Sequence, residues 1–167
     1  MEVDVTRLQE MHPRLAPTTV ADCLHKLALG LARHDHESPV PLEIQLSDTG
    51  IGGTLHWREI ASHPESFDFN RVTEDAAEAI ALAVVHVANG WQVRRRARRE
   101  EHADWLLRDP ADRSIALEVS GVDSVDLYRR RLIEKIRQVS QHPNGRAVKA
   151  ACVVELSPPR CRLQTLA

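Results

Sequence analysis

The chain has 167 residues, enough for one domain with a sizeable core, and its 43% hydrophobic and 28% charged content is that of a globular protein rather than a disordered one. A net charge of -2 excludes a global electrostatic pull toward nucleic acid or an anionic membrane, so any such binding has to come from a local patch. No apolar run approaches the ~20 residues of a membrane span, MEVDVTRLQEMHPR has no signal-peptide core, and Cys23, Cys152 and Cys161 lack the close pairs of a zinc site, which together predict a cytoplasmic protein without a membrane partner.

In chain order, residues 18 to 33 place Val20, Leu24, Leu27 and Leu31 at helical spacing behind a threonine cap. After the polar, proline-bearing link HDHESPVP, LEIQL alternates like a strand. Gly50, Gly52 and Gly53 then predict the turn of a β-hairpin, with residues 54 to 57 returning. No helix begins directly after these glycines, so they are not read as a phosphate loop. Residues 61 to 71 read as a connecting loop.

From residue 73, capping residues and first-turn acids precede AIALAVVHVA, a largely buried helix that Asn89-Gly90 stops. Strands are predicted at 91 to 97, 103 to 108 and 115 to 120. A helix follows from about 124 to 140 with an apolar stripe of Val125, Tyr128, Leu132, Ile136 and Val139. A strand buried on both faces is expected at 147 to 156, and a last strand at 160 to 166 after Ser157-Pro158-Pro159. The fold class is α/β, a central mixed sheet flanked by helices. Residues 1 to 71 form an N-terminal helix and hairpin extension, and residues 72 to 167 an α-β-β-β-α-β-β core, the two making one compact unit.

Two acids stand out on neighbouring strands. Glu118 shares a strand face with Ala116 and Ser120 while Ile115, Leu117 and Val119 point the other way. A charged carboxylate in such a sheet costs several kcal/mol unless it is paired, and a cation is one partner. Asp104 begins the preceding strand.

This element order, with an Asp at the start of the second strand and a Glu in the third, resembles the core of the PD-(D/E)xK nuclease superfamily, the restriction-endonuclease-like fold. The resemblance covers about residues 72 to 156. It implies that Asp104 and Glu118 hold magnesium or manganese, that Glu78, or else Glu74, joins them from the helix, and that the domain hydrolyses phosphodiesters of DNA or RNA. Ala103 stands where the family has proline. Ser120 stands where the family has its lysine, and Arg131 or Lys135 on the next helix is expected to reach back in its place. The alternative is a degenerate, non-catalytic member that serves as a protein-interaction or scaffold module, favoured by the absent lysine.

Each residue also has a plainer role: Asp104 as a turn residue, Glu78 as a first-turn acid. The run QVRRRARRE offers phosphate contacts from Arg94, Arg96 and Arg98 on one strand face, with Arg95 on the other, or else a charge-protected edge strand. His34, His36 and His102 are not assigned as ligands.

Overall fold

A computed structural model describes residues 1–60 and 68–166. It contains strands β1 (Glu2–Asp4), β2 (Val40–Leu46), β3 (Thr49–His56), β4 (Gln92–Arg96), β5 (Trp105–Arg108), β6 (Ser114–Val122), β7 (Val148–Leu156) and β8 (Pro159–Leu166). The helices are α1 (Leu8–Met11), α2 (Pro17–Ala32), α3 (Phe69–Asn89) and α4 (Val125–Ser140). All eight strands join one mixed sheet in the order β1-β3-β2-β8-β7-β6-β5-β4. The β6 and β7 strands run parallel, with α4 as the crossover between them, whereas β4, β5 and β6 form an antiparallel meander.

Alternation along the central strands sorts the layers. Ile115, Leu117 and Val119 of β6 and Ala150, Cys152 and Val154 of β7 join the core beneath α3 and α2. Their alternates, Ala116, Ala151 and Val153, pack with Tyr128, Leu132 and Val139 of α4 on the opposite face. The apolar stripe of α4 is therefore satisfied by small side chains on the sheet.

Helix α3 lies between the sheet and α2, and its alanines at 76, 77, 79, 81 and 83 are all buried, which permits close approach on more than one side. Gly90 ends it in the left-handed region at φ 68, its N–H returning to the His86 carbonyl at 2.7 Å. The tightest contact is at Gly121 of β6: a Cβ there would lie 2.2 Å from the Thr73 carbonyl oxygen, so glycine sets the distance between α3 and the strand.

Three sequence expectations are corrected. The glycines at 50, 52 and 53 lie inside β3 rather than in the turn, which is the two-residue Ser47–Asp48 link with Ser47 at φ 51. The chain also opens with β1, paired parallel to β3, and with α1, both too short to leave a periodic signal. Most of the loop expected at 61 to 71 lies outside the described residues, and its last part, Phe69–Arg71, is already the first turn of α3.

Candidate functional site

The site forms where β5 stops alongside β6. The two strands pair only through Ser114–Leu117, so beyond Leu117 the outward-facing N–H groups of β6 lose their ladder partners. Carboxylates take over. Asp104 continues the ladder with its own N–H to the Leu117 carbonyl at 2.9 Å, and its Oδ2 then accepts from the Val119 N–H at 2.8 Å. One step further along, Glu74 Oε2 accepts from the Gly121 N–H at 3.0 Å and its Oε1 accepts from the Ser120 hydroxyl at 3.2 Å. Thus Asp104, immediately before β5, and Glu74 from the first turns of α3 converge on one free stretch of β6.

Glu118 sits between these contacts and faces α4. Its side chain is fully excluded from solvent, and both oxygens are engaged: Lys135 Nζ donates to Oε2 at 2.7 Å and the Gln138 amide donates to Oε1. Lys135 and Gln138 are three residues apart, which puts them on one face of α4, beside its apolar stripe. Burial is the main force on the Glu118 carboxyl, and the neighbouring Asp104 charge adds to it. Together they outweigh Lys135 and push its pKa up to about 7. Burial alone would depress the Lys135 ammonium, but the bond and charge of Glu118, with further help from Asp104 and Glu74, raise it.

Glu78, one turn after Glu74 on α3, is held differently. Arg96 of β4 grips both of its oxygens at 2.7 and 2.9 Å, while the same guanidinium lies 4.7 Å from the centre of the Trp105 ring. Burial, with the charges of Asp104 and Asp75, still raises the Glu78 carboxyl above its ordinary range against the pull of Arg96. Its bidentate partner makes Glu78 a clamp between α3 and the β4–β5 hairpin, which leaves Glu74 as the α3 acid that reaches β6.

The remaining predicted residues separate. Ser120 is buried and serves Glu74. Lys135 reaches Glu118, but Arg131 does not join it: its guanidinium is exposed and donates to Glu134 at 3.0 Å. The expected alternation of the arginine run fails because a register shift between Val93 and Arg95 inserts an extra residue in β4. Arg96 therefore turns to Glu78 instead of standing in a row with Arg94 and Arg98. Arg95 is committed to Glu101, with two bonds of 2.7 Å. His34 contacts Asp123 and His36 contacts the Leu156 carbonyl, so neither imidazole is bonded to Asp104, Glu118, Glu74 or Glu78.

Among the described residues, no group of three or more His, Cys, Asp and Glu side chains is arranged to hold a metal ion. No protein-family model matches the chain, and no curated protein or solved structure does either. Also among the described residues, no helix is long and apolar enough to cross a membrane.

Proposed function

We propose that the chain is a nuclease-like domain of the PD-(D/E)xK type, in which Asp104 and Glu118 form the acidic pair and Lys135 of α4 replaces the lysine missing from β6. The observation that carries this reading is the Lys135 Nζ at 2.7 Å from Glu118 Oε2, on a buried carboxylate whose proton affinity is raised in part by Asp104. Two carboxylates that repel one another suit a divalent cation, and magnesium characteristically binds through one or two carboxylates while keeping waters and substrate phosphates. Asp104 and Glu118 would hold magnesium or manganese; Glu78, gripped by Arg96, would not. Such an ion supplies Lewis-acid stabilisation and activates water for phosphodiester hydrolysis.

The chain's own groups have distinct parts in this reading. Lys135 keeps a positive charge beside Glu118, where charge develops on a phosphate in transit. Gln138 fixes the orientation of the Glu118 carboxylate, and Glu74 holds the free end of β6 in place. The order α3-β4-β5-β6-α4-β7 and the parallel β6–β7 pair bridged by α4 support this reading.

A second reading, a non-catalytic protein-interaction module derived from such a nuclease, draws on a specific observation. Every acid here already has an internal donor: Val119 for Asp104, Gly121 and Ser120 for Glu74, Arg96 for Glu78, Lys135 and Gln138 for Glu118. A cation on Glu118 must share the carboxylate with those donors. The test is cleavage of single- and double-stranded DNA and RNA with manganese by wild type and Glu118→Ala. Cleavage by wild type that disappears in the variant supports the nuclease; silence from both supports the interaction module.

A further inference from the structure

A second charged feature lies on the sheet edge, apart from the acids. A cavity of about 430 Å³ opens between the turn after α1, the β4 edge and the segment that follows α4, with Arg14, Arg94, Arg95, Glu101, Ser114 and His142 in its wall. The same irregularity that takes Arg96 to Glu78 brings Arg94 and Arg95 together at this cavity. Arg95 is neutralised by Glu101. Arg14 and Arg94 are exposed, and neither guanidinium has a hydrogen bond or ion pair among the described residues. His142 is buried and oriented: its Nδ1–H donates to the Glu101 carbonyl, which leaves Nε2 as its remaining polar atom. Two unpaired guanidiniums and a fixed imidazole, arriving from three parts of the chain, make a concave cationic surface in a protein whose overall charge is negative.

We propose that this cavity binds a backbone phosphate of nucleic acid, through Arg14 and Arg94 with His142 beside them. Planar guanidiniums match phosphate oxygens in pairs, and the Glu101 salt bridge stiffens the wall that carries Arg95. The position agrees with the function proposed above, on which the choice of nucleic acid rests. Ser114 and Glu118 are on the same face of β6, four residues or about 13 Å apart, close to four steps of the 3.4 Å rise along a DNA strand. A strand with one phosphate at the acids therefore has another within range of the cavity.

The experiment has two arms, each on wild type, Arg14→Ala, Arg94→Ala and the double variant. Calorimetric titration with inorganic phosphate reads the cavity itself. Fluorescence anisotropy of a labelled DNA duplex, repeated across a series of salt concentrations without divalent metal, reads the strand. The expected results are phosphate binding by wild type that the double variant loses, and a slope of log affinity against log salt that falls by about 0.9 for each arginine removed. Absence of phosphate binding by wild type, or equal binding by the double variant, overturns the site. Phosphate binding with an unchanged duplex slope overturns the assignment to nucleic acid and leaves a site for small phosphates. Neither arm depends on cleavage, so a failed nuclease reading would show in the activity assay while these slopes still decide the cavity. Both arginines are exposed and unpaired, so the variants retain the fold.

Discussion

Replacing Glu118 by Gln removes the charge on the most deeply buried acid of the site while nearly preserving its shape. In wild type, burial and Asp104 raise the Glu118 pKa from an ordinary 4.5 to about 7. A carboxyl raised on folding contributes stability that is complete below pH 4.5 and is lost as pH rises through 7. Over that interval the loss is on the order of 2 to 3 kcal/mol, at roughly 1.4 kcal/mol per pH unit. Glutamine cannot ionise, so the variant escapes this loss, although one of the donors Lys135 and Gln138 is left less well matched at a pH-independent cost of about 1 kcal/mol. Urea unfolding of both proteins at pH 5 and pH 8.5 measures the effect. The stability of Glu118→Gln relative to wild type is expected to improve by about 2 to 3 kcal/mol between the two pH values. A difference that stays constant would mean that Lys135 fully compensates the burial, and would refute the raised pKa.

The opposite pH dependence is expected from His12, whose buried ring accepts the Val93 N–H at Nδ1 and donates to the Leu82 carbonyl from Nε2; burial lowers its pKa to about 4. Its contribution is present above pH 6.5 and lost as pH falls toward 4, about 3 kcal/mol in all, so His12→Phe should flatten the acid side of the stability profile measured by denaturant titration. Gly121→Ala forces a methyl against the Thr73 carbonyl and is expected to cost about 3 kcal/mol in urea unfolding, with loss of the Glu74 contact to β6; a cost below 1 kcal/mol would show that α3 can shift. Arg96→Ala strands the buried Glu78 carboxylate and should destabilise by about 2 to 3 kcal/mol, whereas Arg98→Ala, which breaks no side-chain ion pair, should change the midpoint hardly at all. Thermal melts of wild type with manganese at a hundred times its dissociation constant should show about 2.7 kcal/mol of stabilisation that Glu118→Ala lacks.

What the sequence made readable was periodicity. The alternation of Ser114 to Ser120 gave β6 and the face of Glu118, the stripe from Tyr128 to Val139 gave α4, and Asn89-Gly90 gave the end of α3. Features set by tertiary contact were not readable. Glu74 and Glu78 stand one turn apart with the same chemistry, and only the positions of Arg96 and the β6 edge separate the clamp from the acid that reaches the strand. Lys135 lies on the helix after β6, and its reach to Glu118 was legible from that order, whereas nothing in the sequence around Gln138, on the same helical face, distinguishes it from a solvated glutamine. The arginine run misled for a local reason: one inserted residue in β4 reverses the face of everything after it. The glycines of β3 misled because a turn can be made by Ser47 at positive φ without any glycine.

In the proposed function, Lys135 supplies, from α4, the positive charge that β6 lacks. The direct measurement is the single-turnover rate of manganese-dependent DNA cleavage by wild type and Lys135→Met, with folding of the variant checked by circular dichroism. The proposed role of Lys135 implies measurable cleavage by wild type and a loss of about 100- to 1,000-fold in the variant, the usual cost of removing one transition-state donor. Equal rates in the two proteins would contradict it.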